Sequence, residues 1–209
     1  MPNPISVHKR EACDFFRRAL LRVAPDYFSA ALPQNKVAHG ERVFAYELYH
    51  QLRIQFSTHP FFDQWYVHGE FRKGLSLVPR IRMDETFIPD IVIHEKTDEL
   101  EGDLIAVEIK TNPRTKATEI IADLGKLEIY TNPEELDFQI GIFVAVNFDV
   151  EKTLRRKPGC WNRAGEILRK GPRTAIWNIH VPDADPDADD GQLLETCLRI
   201  LRADAFLKV

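Results

Sequence analysis

The sequence predicts an α/β domain in which a mixed β-sheet is flanked by helices. Three observations carry that expectation. Residues 138–148, FQIGIFVAVNF, are so uniformly apolar that they suit a central strand buried on both faces. Residues 87–94, FIPDIVIH, and 104–111, LIAVEIKT, are two more strand-like runs, joined by the polar HEKTDELEGD, which suits a hairpin. Segments of helical periodicity precede and follow these strands.

The elements follow in order. Over 8–24, Ala12, Phe15, Phe16, Ala19, Leu20 and Val23 recur at helical spacing, and Pro25-Asp26 ends the run. A second helix is expected over 40–55, with Glu41, Phe44, Ala45, Leu48 and Leu52 on one face. Strands are expected at 65–71 and 76–83, then at the two hairpin segments. Residues 114–130 return to helix through Ala117, Ile120, Ile121, Leu124, Leu127 and Ile129. After the central strand come a helix at 160–170, a strand at 174–181 and a helix at 191–206. The domain organisation expected is one unit over 1–209: a core at 40–150, an N-terminal helix at 8–24 and a C-terminal extension at 151–209.

Composition narrows the class. Apolar residues make up 44% of the 209, enough for a core, and 29% are charged. No run approaches the roughly 20 apolar residues of a spanning helix. The N-terminal apolar stretch is broken by charges, unlike a signal peptide. Three cysteines, widely spaced and without a CxxC pair, favour neither a disulfide framework nor a zinc site. A soluble cytoplasmic protein is expected, with no membrane partner. The net charge of −4 argues against a small basic DNA-binding module. It averages over an acidic stretch, DADPDADD at 183–190, and a basic one at 152–173 that holds Lys152, Arg155, Arg156, Lys157, Arg163, Arg169, Lys170 and Arg173. The plain reading of such a run is a solvated face.

The chemistry concentrates in the hairpin. Pro89-Asp90 enters one strand, and Glu108-Ile109-Lys110 ends the next. Glu108 and Lys110 share a face by the period of two. A turn centred near residue 99 would set Asp90 opposite Glu108, so that two carboxylates converge beside a lysine. Close carboxylates repel unless a proton or cation intervenes. Oxygen ligands with room for water suit Mg²⁺ or Mn²⁺, and such an ion polarises a phosphodiester and acidifies a bound water. Lys110 is placed to orient or activate that water, or to stabilise charge on the phosphate. An acidic-x-Lys triplet alone means little, since about one arises by chance in a chain this long. Its plain reading is a charge pair on a solvated face. Its position at the end of so apolar a strand is what gives it weight.

Pro89-Asp90 followed by Glu108-Ile109-Lys110, set in a helix, strand meander, helix and strand, resembles the PD-(D/E)XK superfamily of restriction-endonuclease-like nucleases. The resemblance covers roughly half the chain, residues 40–148. Further pieces are similar to small prokaryotic proteins of this type: Glu41-Arg42, Leu48 and Leu52, and Gly69-Glu70-Phe71-Arg72. The resemblance implies a restriction-endonuclease-like fold and a Mg²⁺-dependent nuclease, an endonuclease rather than an exonuclease. Asp90, Glu108 and the Ile109 carbonyl would hold the metal, with Lys110 at the nucleophile. It also implies service in prokaryotic defence or mobile elements, or as a subunit of a larger machine, and a homodimer is compatible with it. The substrate expected is DNA, with RNA equally compatible with phosphate chemistry. The rival is a catalytically silent nucleic-acid-binding or assembly subunit that keeps the fold.

The superfamily usually adds an acid from the preceding helix. Glu41 lies on the apolar face and is preferred; Glu47, on the flank, is the alternative, and Glu70 is a weaker one. Glu41 has a plainer role too, as an acid favourable at a helix N-terminus. The helix after the triplet carries Lys126 where relatives often place a basic or polar residue near the site, and it is a candidate to contact nucleic acid; the alternative is an exposed helical lysine. Asn112, Arg114 and Lys116 stand close enough to the triplet to reach phosphates. Arg155, Arg156 and Lys157 are candidates to hold nucleic acid. Trp161 beside them is read either as a base-stacking face or as a core side chain.

Overall fold

The computed structural model describes residues 4–28, 30–32, 36–38, 40–58, 65–70, 88–95, 103–171, 173–179 and 198–202. The chain runs through α1 (Pro4–Leu20), a 3-10 turn (Pro25–Tyr27), β1 (Ala30–Leu32), β2 (Lys36–Ala38), α2 (Glu41–Ser57), β3 (Trp65–Gly69), β4 (Ile91–Glu95), β5 (Asp103–Lys110) and α3 (Ala117–Tyr130). It continues through β6 (Ile140–Val146), α4 (Val150–Arg155), α5 (Pro158–Lys170), β7 (Thr174–Ile179) and β8 (Leu198–Leu201). This is an α/β protein with a six-stranded mixed sheet in the order β3-β4-β5-β6-β7-β8. The pairs β5–β6 and β6–β7 are parallel and the others antiparallel. Strands β1 and β2 form a separate antiparallel pair that the sequence reading did not anticipate.

The central strand is as expected. All seven residues of β6 are buried. Ile142, Val144 and Val146 enter one core with α1 and α2, while Phe143 and Ala145 enter the other with α3, α4 and α5. A strand covered on both faces needs apolar residues at every position, which is why no alternation is visible in 138–148. Phe16 of α1 meets Trp177 of β7 edge-on, and Phe15 meets Phe56 of α2, so both helices are pinned to the same face.

Helix α1 starts four residues before the expected 8–24 and stops at Leu20. The amides of Arg22 and Val23 then bond three residues back, to Ala19 and Leu20, a tightened turn that ends before Pro25 disfavours helix at Ala24. Pro158 occupies the first turn of α5, where its missing N–H costs nothing, so that helix also begins earlier than expected.

The helix expected at 191–206 is a correction. Residues 198–201 are β8, antiparallel to β7, with Leu201 opposite Ile176 and Leu198 opposite Ile179. The unpaired backbone edge of β7 needs a partner, and that demand overrides a local leucine spacing that also suits helix. The expected C-terminal extension thus supplies two strands of the same sheet and two helices packed on it. The strand expected at 76–83, most of the hairpin connection and the acidic 183–190 lie outside the described residues.

The β4–β5 register decides the site. Ile91 faces Val107, Val92 faces Ala106 and Ile93 faces Ile105, all symmetric about residue 99 as expected. Asp90 and Glu108 stand one step beyond. At the far end of the hairpin a bulge between Ile93 and His94 shifts the register, so that His94 faces Asp103.

Asn178 of β7 ties α4 to the sheet. Its side chain donates to the Phe148 and Ala145 carbonyls and accepts from the Val150 amide, and it is 4% exposed. Asn178→Ala leaves these backbone groups without partners in a dry site. Urea unfolding should show a loss of about 2 kcal/mol.

Candidate active site

The candidate site lies at the carboxyl end of β5, between the first turn of α2 and one stripe of α3. Asp90 is fixed to both neighbouring strands. Its amide donates to the Val107 carbonyl and its carbonyl accepts from Glu70, each at 3.0 Å. Its carboxylate Oδ2 accepts the Ile109 amide at 2.7 Å. The carboxylate therefore takes a bond that a continuing β4 would have supplied.

Glu108 points to the α3 side of the sheet and its side chain is 2% exposed. Tyr130 donates to Oε1 and Lys126 to Oε2, both at 3.1 Å. Lys126 also bonds Asp123 Oδ1 at 2.7 Å. Asp123, Lys126 and Tyr130 form one stripe of α3 at spacings of three and four, along the face that also carries the core residues Leu124 and Leu127. Lys110 reaches both flanking helices: Nζ lies 3.2 Å from Glu41 Oε1, 3.3 Å from Glu41 Oε2 and 3.4 Å from Asp123 Oδ2. It also approaches the Ile109 carbonyl at 3.3 Å.

The electrostatics follow from this crowding. Burial raises the Asp90 carboxyl to about 6, against the pull of the Ile109 amide and with added repulsion from Glu41. Burial raises Glu108 further, to about 8, and Asp90 reinforces the shift while Lys126 opposes it. Burial acts to lower Lys110, but Asp123 and Glu41 outweigh it, so its pKa lies above that of an ordinary lysine. The same balance, through Asp123 and Glu108, raises Lys126. Both lysines are ammonium ions. Lys110 is accordingly suited to stabilising negative charge and poorly suited to accepting a proton.

The structure brings together Asp90, Glu108, Lys110 and Glu41, with the Ile109 carbonyl and Lys126 among them. The alternative reading of Lys126 as an exposed helical lysine does not hold. Glu47 is turned away and bonds Gln51 one helical turn on. Arg114 is exposed on the turn after β5, where its amide donates to Asn112, and it joins none of the cluster's bonds. Arg155 pairs with Glu151 and lies 4.0 Å over the Trp161 ring, which is 5% exposed. Trp161 is thus a core side chain and offers no open face to a base. The basic run is also less basic in space than in sequence: Arg163 pairs with Glu128 and Glu166, and Arg173 with Asp137. Arg156 and Lys157 are exposed and form no ion pair among the described residues.

Two members of the cluster escaped the sequence reading: Asp123, 4% exposed, and Tyr130, fully buried. The available signal was their position on the apolar stripe of α3, where a polar group needs a partner.

The oxygen donors fit a hard divalent cation. Among the described residues no three His, Cys, Asp or Glu side chains form a ready cage. What is present is the smaller set that Mg²⁺ and Mn²⁺ commonly use, one or two carboxylates with space for water. Asp90 Oδ1 accepts no hydrogen bond among the described residues. Glu108 Oε2 and the Ile109 carbonyl are held only by lysine ammonium groups on flexible stems, among the side-chain contacts here. Four carboxylates (Glu41, Asp90, Glu108, Asp123) face two ammonium ions, which leaves a charge of −2 when all are ionised.

The raised carboxyl values give a pH dependence. A group whose folded pKa exceeds its unfolded value stabilises the fold below the unfolded value, and that stability is lost as pH rises through the folded one. Without divalent cations, the protein should lose stability from about pH 4.5 to about pH 8. Glu108→Gln should flatten that decline, with a gain on the order of 1 kcal/mol or more at pH 8, read from urea midpoints across a pH series.

No family model matches the chain, and neither a curated protein nor a solved structure matches it, so the reading of this cluster rests on its own geometry.

Proposed function

We propose that the protein is a Mg²⁺- or Mn²⁺-dependent phosphodiesterase acting on nucleic acid, a nuclease with a restriction-endonuclease-like core and DNA as the expected substrate. The observation that carries this reading is the convergence of Asp90, Glu108 and Lys110 from two adjacent strands, with Glu41 arriving from α2. Asp90, Glu108 and the Ile109 carbonyl would hold the ion, which supplies a polarised phosphate oxygen and a water of lowered pKa.

The chain's own residues do the rest. Lys110, held by Glu41 and Asp123, presents a fixed positive charge toward the oxygens of the scissile phosphate, where negative charge builds up during attack. Glu41 and Asp123 set its direction from opposite sides. Tyr130 and Lys126 orient Glu108. Hydrolysis adds one water across a P–O bond and leaves one phosphomonoester and one hydroxyl.

One observation favours a second reading, a catalytically silent nucleic-acid-binding subunit. Both oxygens of Glu108 already have protein partners, so Lys126 competes with a cation for Oε2. Isothermal titration with Mn²⁺ and a cleavage assay separate the two. The nuclease reading expects Mn²⁺ binding that Asp90→Ala abolishes, and cleavage on a panel of duplex, single-stranded and branched DNA and RNA. Lys110→Ala and Glu108→Gln should lower the rate at least a hundredfold. Glu41→Gln should impair cleavage with the fold intact, and Glu47→Gln should leave it unchanged. Binding of nucleic acid without Mn²⁺ binding or cleavage would favour the silent subunit.

The basic turn gives a separate test. Helix α4 leaves the same end of the sheet as the site, with the Val150 amide capped by Asn178 of β7. The turn after it carries Arg156 and Lys157, both exposed. Replacing Arg156 and Lys157 by alanine should weaken binding and reduce the slope of log K against log salt by up to about 2.

A further inference from the structure

A cleft opens between α2 and the end of β3, and its lining is shared with the carboxylate cluster. Its volume is about 180 Å³. Glu41 and Asp90 of that cluster line it; Arg42, Tyr46 and Tyr49 line it from α2, and Glu70 from beyond β3. The α2 residues fall at i, i+1, i+5 and i+8, a stripe beside the core stripe of Phe44, Leu48 and Leu52. The helix that brings Glu41 to Lys110 thus also lines the cleft with Tyr46 and Tyr49.

Tyr46 has no structural role visible among the described residues. It is 59% exposed, and it makes no hydrogen bond or ring contact among the described residues. Facing it across the cleft, Glu70 adopts a left-handed backbone, φ 46°, held by the bond from its amide to the Asp90 carbonyl. That turn carries the Glu70 carboxylate to Arg42 at 3.2 Å. Both partners are half-exposed or more, so the pair adds little stability and gives up Arg42 to a phosphate at small cost.

We propose that this cleft seats one unpaired nucleotide next to the scissile phosphate, with Tyr46 as the stacking face and Arg42 on the adjoining phosphate. The inference rests on the phosphodiesterase reading of the adjacent carboxylates for its direction. Size and chemistry select the ligand. The cleft is smaller than the roughly 300–1,000 Å³ of a drug-sized site and suits a single ring system. A base inside a duplex is stacked on both faces and cannot present one to Tyr46, whereas a single strand can. Stacking on an aromatic side chain tolerates any base, so the cleft confers a preference for strandedness without sequence specificity.

The test measures binding by fluorescence anisotropy of labelled single-stranded DNA, single-stranded RNA and duplex DNA of one sequence. It is run in Ca²⁺, which takes oxygen ligands of the same kind. Tyr46→Ala should weaken binding of single strands about tenfold and leave the duplex unchanged, Tyr46→Phe should retain affinity, and Tyr46→Trp should match or exceed it. Val43→Ala, exposed on the same helix and away from the cleft, is the control and should have no effect. Circular dichroism checks the fold of each variant. DNA and RNA arms responding singly or together all support an unpaired nucleotide and tell which sugar the cleft accepts. Unchanged affinity of Tyr46→Ala for single strands, equal losses on single strands and duplex, or no single-strand binding by the wild type overturns the proposal. Tyr46-dependent binding without any Mn²⁺-dependent cleavage leaves the subsite standing and removes the phosphodiesterase reading; cleavage without Tyr46-dependent binding does the reverse.

Discussion

Two ammonium groups hold four carboxylates together at the end of β5, and the placement of the surrounding elements follows from that constraint. Glu108 sits almost without solvent at the end of a strand covered on both faces. A lone carboxylate there would be costly, and a second one from Asp90 makes it costlier. Lys126 and Lys110 relieve the repulsion from opposite sides. Each needs a neighbouring acid to remain charged against burial, and Asp123 serves both. Remove either lysine and the carboxylates must take up protons or move apart.

That arrangement dictates what the flanking helices carry. Helix α3 gives up three positions on or beside its packing face, at 123, 126 and 130, to polar groups. The core tolerates them because every one has a bonded partner. Helix α2 enters with Glu41 in its first turn, where its dipole favours an acid and where Lys110 waits. The parallel pairing of β5 with β6 and β7 opens the carboxyl ends of these strands to one side, the usual place for ligands in such sheets.

Much of this was legible in the sequence, and the reasons differ by element. The unbroken apolar run of β6 and the apolar, β-branched runs of β4 and β5 report burial directly, so these strands could be read, while their register about residue 99 follows only from centring the turn of the hairpin there. The triplet at 108–110 could be placed at a strand end, and Glu41 on the inner face of α2, by periodicity alone. Asp123 and Tyr130 are not legible in the sequence, because what ties them to the site is Lys110, 13 residues from Asp123, and Glu108, 22 residues from Tyr130, and only the fold brings these together. Strand β8 was misread because leucines at 194, 198 and 201 suit a helix as well as a strand, and only the bare edge of β7 decides between them. The basic run at 152–173 is only partly neutralised by the fold. Sequence neighbours of one sign acquire spatial neighbours of the other, Glu128 and Asp137 among them.

The bulge at Ile93/His94 divides the hairpin into two lengths of chain with different freedoms. On the site side, three consecutive pairs lock every side chain to its face, and a slip of one residue would turn Glu108 away from α3. On the far side the register has already been shifted once, so a residue gained or lost there is absorbed before it reaches Asp90. The alignment of the carboxylates therefore depends on the three site-side pairs and not on the pairing beyond the bulge.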